Sequence, residues 1–157
     1  MNRIAQLLTP ERSLCQARSA SKKGVFELIA DTLAREETRE DFHPTELVSG
    51  LLAREKLGST AMGDGIAIPH CRLRDCEAAV GVVMTLATPT AFDAPDDQPV
   101  DLLFALVVPE AATQEHLDLL ADLARLLSDT AFCDALRSCR TSEALYNTTI
   151  NWAEKVA

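Results

Sequence analysis

Histidines 43, 70 and 116 are the only imidazoles in the chain, so each can be weighed for chemistry near neutral pH. His70 follows Ile66-Ala67-Ile68-Pro69, which reads as a short apolar strand that stops at the proline. Strand ends in α/β sheets present side chains from a rigid base, although a histidine satisfied by backbone at a turn fits the same position. His116 falls three residues after Thr113, the expected cap of an amphipathic helix, and therefore in its first turn. Free N–H groups and the positive end of the helix dipole favour an anion there and lower the imidazole pKa. A helix-start histidine bonded to a nearby loop is equally compatible. His43 precedes Pro44 among Glu40, Asp41 and Glu46 and reads as a solvated helix entrance.

The combination is more specific than its parts. Arg54, Ser59 and Thr60 stand with His70 and His116 around a loop punctuated by Gly58, Gly63 and Gly65, and such a set can hold phosphate. Imidazole attacks phosphorus through one ring nitrogen while the other keeps its hydrogen. Phosphoryl transfer needs mainly positioning and cancellation of charge on three equatorial oxygens. Arg54 offers a forked charge, Ser59 and Thr60 offer hydroxyl donors, and His116 offers a ring N–H. No Gly-Lys-Ser/Thr triplet occurs, so the loop is not a Walker motif, and no cofactor is implied. A zinc site from His70, Cys71, Cys76 and His116 fails because neighbouring residues 70 and 71 point apart and the spacing matches no ribbon or finger, so no metal is expected. Cysteines 15, 71, 76, 133 and 139 are odd in number and lack a CxxC pair, which reads as free thiols.

Several elements must position these residues. Val25, Phe26, Ile29 and Leu33 fall at helical spacing over 22–35, with Ser21 as cap, and a second helix opens at Pro44 with Leu47, Leu51 and Leu52 inward. Residues 79–86 and 100–108 are runs of Val and Leu that end near prolines, the pattern of strands buried on both faces. The helix after Thr113 carries Leu117, Leu120, Ala121, Ala124 and Leu127 on one face, and shorter helical pieces follow near 132–136 and 142–146. The fold class expected is α/β: a single-domain sandwich over residues 1–157 (core about 4–150), with helices on both faces of a mixed parallel/antiparallel sheet.

Composition excludes several classes. Fifteen Lys+Arg against 24 Asp+Glu give a charge of −9, which opposes general nucleic-acid binding, and 4% aromatics leave little to stack on bases. No apolar run suits membrane insertion and no secretory leader is visible, so a cytoplasmic location is expected. Residues 1–74 hold 11 basic and 10 acidic side chains, whereas 75–157 hold 4 and 14. Asp93, Asp96 and Asp97, between the two long runs, are candidates for an acidic patch that steers a basic partner toward His70; a merely solvated loop fits equally.

The segment Arg54-Glu55-Lys56-Leu57-Gly58-Ser59-Thr60, followed by Gly63-Asp64-Gly65-Ile66-Ala67-Ile68-Pro69-His70, closely resembles the active-site segment of mannitol/fructose-type enzyme IIA domains of the bacterial phosphotransferase system, most of all the nitrogen-regulatory branch. Residues 99–109, His116-Leu117 and the stretch from Phe132-Cys133 to Leu136-Arg137 match the rest of the family pattern. The resemblance implies a helix–sheet–helix sandwich in which His70 is phosphorylated on Nε2, His116 is the second active-site histidine and Arg54 faces the phosphate. It implies an HPr-like phosphocarrier as donor and regulatory protein targets, potassium-transport or sensor-kinase proteins being of the kind expected. A fructose- or mannitol-specific component passing phosphate to a IIB domain is the alternative, and an unphosphorylated regulatory module of the same fold is a third reading. Two departures stand out: Cys71 replaces the family's glycine and is expected to add a side chain beside the nucleophile, and Asp64 replaces an asparagine, adding a charge that would oppose phosphate if it pointed inward.

Overall fold

The computed structural model describes residues 3–36, 42–74, 76–111 and 114–155. Along the chain run α1 (Arg3–Gln6), β1 (Ser13–Ala17), α2 (Lys22–Glu36), α3 (Pro44–Lys56), β2 (Ala61–Gly63), β3 (Ile66–Ala67), β4 (His70–Leu73), β5 (Val80–Thr90), β6 (Val100–Pro109), α4 (Gln114–Leu127), α5 (Thr130–Arg137) and α6 (Ser142–Lys155). Ser21 caps α2 as expected, its hydroxyl accepting from the Gly24 amide at 3.0 Å. Pro44 opens α3, and His43 before it is exposed.

The sheet is mixed, in the order β1-β5-β6-β3-β2, with β4 also pairing with β6. β5 and β6 are antiparallel, while β1 runs parallel to β5, and β3 and β4 run parallel to β6. Both faces are covered, as anticipated. Ile66, Ile68, Val83, Leu102, Phe104 and Leu106 point to the side of α1, α4, α5 and α6, where they pack with Leu123, Phe132, Leu136 and Leu145. The alternate residues Ala67, Cys71, Val82, Met84, Leu103 and Ala105 meet Val25, Phe26 and Ile29 of α2 and Leu47 and Leu51 of α3. Period-two alternation therefore divides even the apolar runs of β5 and β6 between the two cores.

Three features differ from the sequence reading. The strand that stops at Pro69 resumes at once: Ile66 pairs with Leu102 and His70 with Leu106, so β3 and β4 keep one register along β6. Proline has no N–H to donate, but its carbonyl still accepts from the Leu106 amide at 2.9 Å, and pairing survives the break. His70 thus opens a strand rather than following one, in the phase of Ile66 and Ile68.

Helix α4 is rotated from the face read in the sequence. His116, Leu119, Leu123, Leu126 and Leu127 are buried, while Leu117 is 57% exposed. Leucines occupy two adjoining stripes of this helix, so its own periodicity does not choose between them; the sheet does. Its expected cap, Thr113, lies outside the described residues. Strands β1 and β2 were not anticipated, since β1 carries a left-handed residue, Gln16 (φ 52°), and β2 spans three residues. Helix α6 runs far past 146, with Leu145, Thr149 and Ala153 on its buried side and the Thr149 hydroxyl satisfied by the Leu145 carbonyl at 2.8 Å.

Gly81 of β5 admits no side chain. A Cβ there would stand 2.7 Å from Phe104 Cε1 and 3.2 Å from Leu7 Cβ, both in the core. Gly81→Ala is expected to destabilise the protein by about 1–3 kcal/mol through overpacking, read as an earlier denaturant midpoint; an unchanged midpoint would contradict this packing.

Candidate active site

The His70 ring sits between helices from opposite faces of the sheet. Its Nδ1 lies 2.8 Å from the Ile68 carbonyl, which can only accept, so Nδ1 carries the ring hydrogen and Nε2 keeps its lone pair. Arg54, in the last turn of α3, donates its Nε–H to that lone pair at 3.1 Å and its Nη1–H to the Gly58 carbonyl at 2.9 Å. Two separate hydrogen bonds thus require the same neutral tautomer. From the other side, α4 brings the His116 ring to a centroid distance of 5.6 Å, tilted by 60°. His116 is 5% exposed, and among the described residues its Nδ1 has no hydrogen-bond partner. A buried polar atom left unpaired costs about 1–3 kcal/mol, so it calls for an explanation beyond packing.

The segment after α3 is tied down from three directions. The Glu55 carboxylate accepts from the Thr60 amide at 3.0 Å and from the Thr60 hydroxyl, and from Lys22 Nζ at 3.0 Å on its other oxygen. The Ser59 hydroxyl donates to the Phe92 carbonyl and accepts from the Ala61 amide at 3.1 Å. Ser59 and Thr60, expected as donors to an anion, instead use both hydroxyl hydrogens to hold the loop. Glu55 stands in the Arg54–Thr60 motif and Lys22 in no motif, and the sequence assigns neither a role.

Residues 6–151 match the family described as phosphoenolpyruvate-dependent sugar phosphotransferase system, EIIA 2. The chain belongs to that family. It is 50% identical over 151 residues to a nitrogen regulatory protein of Pseudomonas aeruginosa, covering 96% of this chain and 97% of that one. A nitrogen regulatory protein of Escherichia coli is 42% identical over 144 residues, covering 91% and 86%. The crystal structure of the nitrogen regulatory protein IIA-Ntr from Neisseria meningitidis superimposes with a TM-score of 0.84 at 36% identity, over 92% of this chain and 97% of that one. IIA mannitol from Escherichia coli shares the fold, with a TM-score of 0.72 at 20% identity.

Against the expected EIIA 2 pattern, the two departures fall away from the imidazole. Cys71 is buried on the opposite face, where its Sγ would lie 3.3 Å from a Cβ added to Gly50 of α3; burial pushes its thiol up to about 12. Asp64 is exposed in the turn that enters β3, with φ 57° between two left-handed glycines. Its carbonyl accepts from Arg137 Nη2 at 2.7 Å and its amide donates to Asp96 Oδ2 at 2.9 Å. The acidic loop is divided: Asp96 is bound to this turn, whereas Asp93 lies 3.4 Å from Lys22 Nζ. Among the described residues no group of three or more His, Cys, Asp or Glu is arranged to hold a metal ion. Among them, too, no helix is long and apolar enough to cross a membrane.

Both EIIA 2 histidines are held below the ordinary imidazole pKa. For His70 burial is the main cause; the hydrogen bond to Ile68 opposes it, the Arg54 charge adds to it, and Glu55 partly offsets it. For His116 burial again comes first, followed by His70 and the Arg72 guanidinium. Both rings should titrate below 6.5, the value for a free imidazole, when followed by ring NMR. Because the folded values are depressed, this contribution to stability is complete above 6.5 and is lost as pH falls through the folded values. Denaturant unfolding across that window should show the loss, and a ring titrating at or above 6.5 would contradict the buried geometry.

Proposed function

We propose that this chain is a phosphohistidine relay: Nε2 of His70 accepts a phosphoryl group from an HPr-like phosphocarrier, and the protein then regulates its targets by contact. The observation that carries this reading is the pair of hydrogen bonds that keeps the hydrogen on Nδ1 and the lone pair on Nε2, where Arg54 meets it. In the transfer the lone pair forms the new N–P bond while the carrier's own N–P bond breaks, its electron pair returning to the carrier's imidazole. Arg54 exchanges its bond to Nε2 for the incoming phosphoryl oxygens, and His116 supplies a second ring beside them. Ser59 and Thr60 would join only by giving up the Phe92 carbonyl and Glu55. The unit is taken as one enzyme IIA domain working in the cytoplasm. The nitrogen-regulatory name of its relatives supports regulation over sugar transport, with potassium-transport or sensor-kinase proteins as target classes.

The test is incubation with phosphoenolpyruvate, the first enzyme of the system and the carrier, followed by intact mass. Wild type should gain one acid-labile phosphate that His70→Ala does not, and no gain in wild type overturns the relay. His116→Ala should slow acceptance on the order of a hundredfold without abolishing it. Acceptance should also slow as salt rises, because the acid-rich second half is the proposed attractor of a basic carrier face; a flat salt profile would remove that attraction.

A further inference from the structure

The Glu55 side chain is 5% exposed, and both of its carboxylate oxygens are in use. A carboxylate this buried needs its charge and lone pairs satisfied, and here one cation and one residue of the following loop do so. The cation, Lys22 at the start of α2, is itself largely covered and stands 5.1 Å over the Phe92 ring. From Glu55 the bonding continues toward the nucleophile. Thr60 donates its amide and hydroxyl to Glu55; its carbonyl accepts from the Ile68 amide at 3.1 Å; and the Ile68 carbonyl accepts the His70 Nδ1 hydrogen at 2.8 Å. Arg54, the residue before Glu55, reaches the other ring nitrogen directly.

We propose that Glu55, anchored by Lys22, is a positioning residue for the phosphoacceptor: through Thr60 and Ile68 it holds the carbonyl that keeps His70 in its Nδ1–H tautomer. Neighbouring residues of α3 therefore clasp the two ring nitrogens from opposite ends, Arg54 by contact and Glu55 through two links of backbone. The charge of Glu55 acts on the ring as well, favouring its protonated form, against the charge of Arg54 on the same helix; His116 faces the ring from α4. The proposal rests on the relay reading for its consequence in transfer, but not for its effect on the ring.

Three variants test it: Glu55→Ala, Glu55→Gln and Lys22→Met, each checked by thermal unfolding, ring nitrogen NMR and phosphoryl acceptance. Glu55→Ala should turn the single Nδ1–H tautomer into a mixture and slow acceptance about tenfold or more. Glu55→Gln keeps an oxygen for Thr60 and so should restore the tautomer and most of the rate, while the His70 titration moves further down because the carboxylate charge is gone. Lys22→Met should fall between the two. A folded Glu55→Ala with the wild-type tautomer and rate overturns the proposal. If that variant does not fold, Lys22→Met decides, and the wild-type tautomer and rate there overturn the proposal. Failure of the relay reading looks different: wild type takes up no phosphate, yet the ring still responds to the variants.

Discussion

One hydrogen bond organises the site: the imidazole Nδ1–H of His70 given to the carbonyl of Ile68, two residues earlier. A peptide carbonyl has no hydrogen to offer, so the bond sets the tautomer as well as the ring's direction. It is available by strand alternation: the carbonyls of Gly65 and Pro69 accept from β6, whereas Ile68 turns the other way, giving its amide to the Thr60 carbonyl and leaving its own carbonyl for the ring.

The flanking layers complete that arrangement from both faces. The α2–α3 side contributes Arg54 directly and Glu55 through the loop, and the α4 side contributes His116. None of these side chains is free to wander. Arg54 is held by Gly58, Glu55 by Lys22 and Thr60, and His116 by a helix whose leucines fill the core beneath the sheet. Preorganisation of this kind lets a site act with little rearrangement, which is how buried donors and rings gain catalytic value. Burial also favours the neutral form of both imidazoles.

Much of the fold was legible because the residues state it locally. The runs at 79–86 and 100–108 became β5 and β6, and α2 and α3 begin where their cap and proline say. Strand β1 was not legible, because its left-handed Gln16 breaks alternation and its pairing with β5 joins residues about 70 apart. The buried face of α4 was misread for a related reason: two leucine stripes are equally apolar, and only docking on the sheet selects the one containing His116. At the site, Arg54, His70 and His116 come together as their chemistry suggested. The hydroxyls of Ser59 and Thr60 instead hold the loop, since a serine or threonine after a helix bonds whichever acceptor the fold supplies.

By itself the sequence determined the kinds of group available, two imidazoles and a guanidinium around a glycine-punctuated loop, and the alternating apolar faces that build a covered mixed sheet. Its motif also carried the family. Tertiary structure decided which ring nitrogen of His70 bears the hydrogen, which acid stands behind the loop, and on which face Cys71 falls. Those outcomes depend on the direction of hydrogen bonds and on contacts between distant segments, such as Lys22 with Glu55, and no local spacing encodes either.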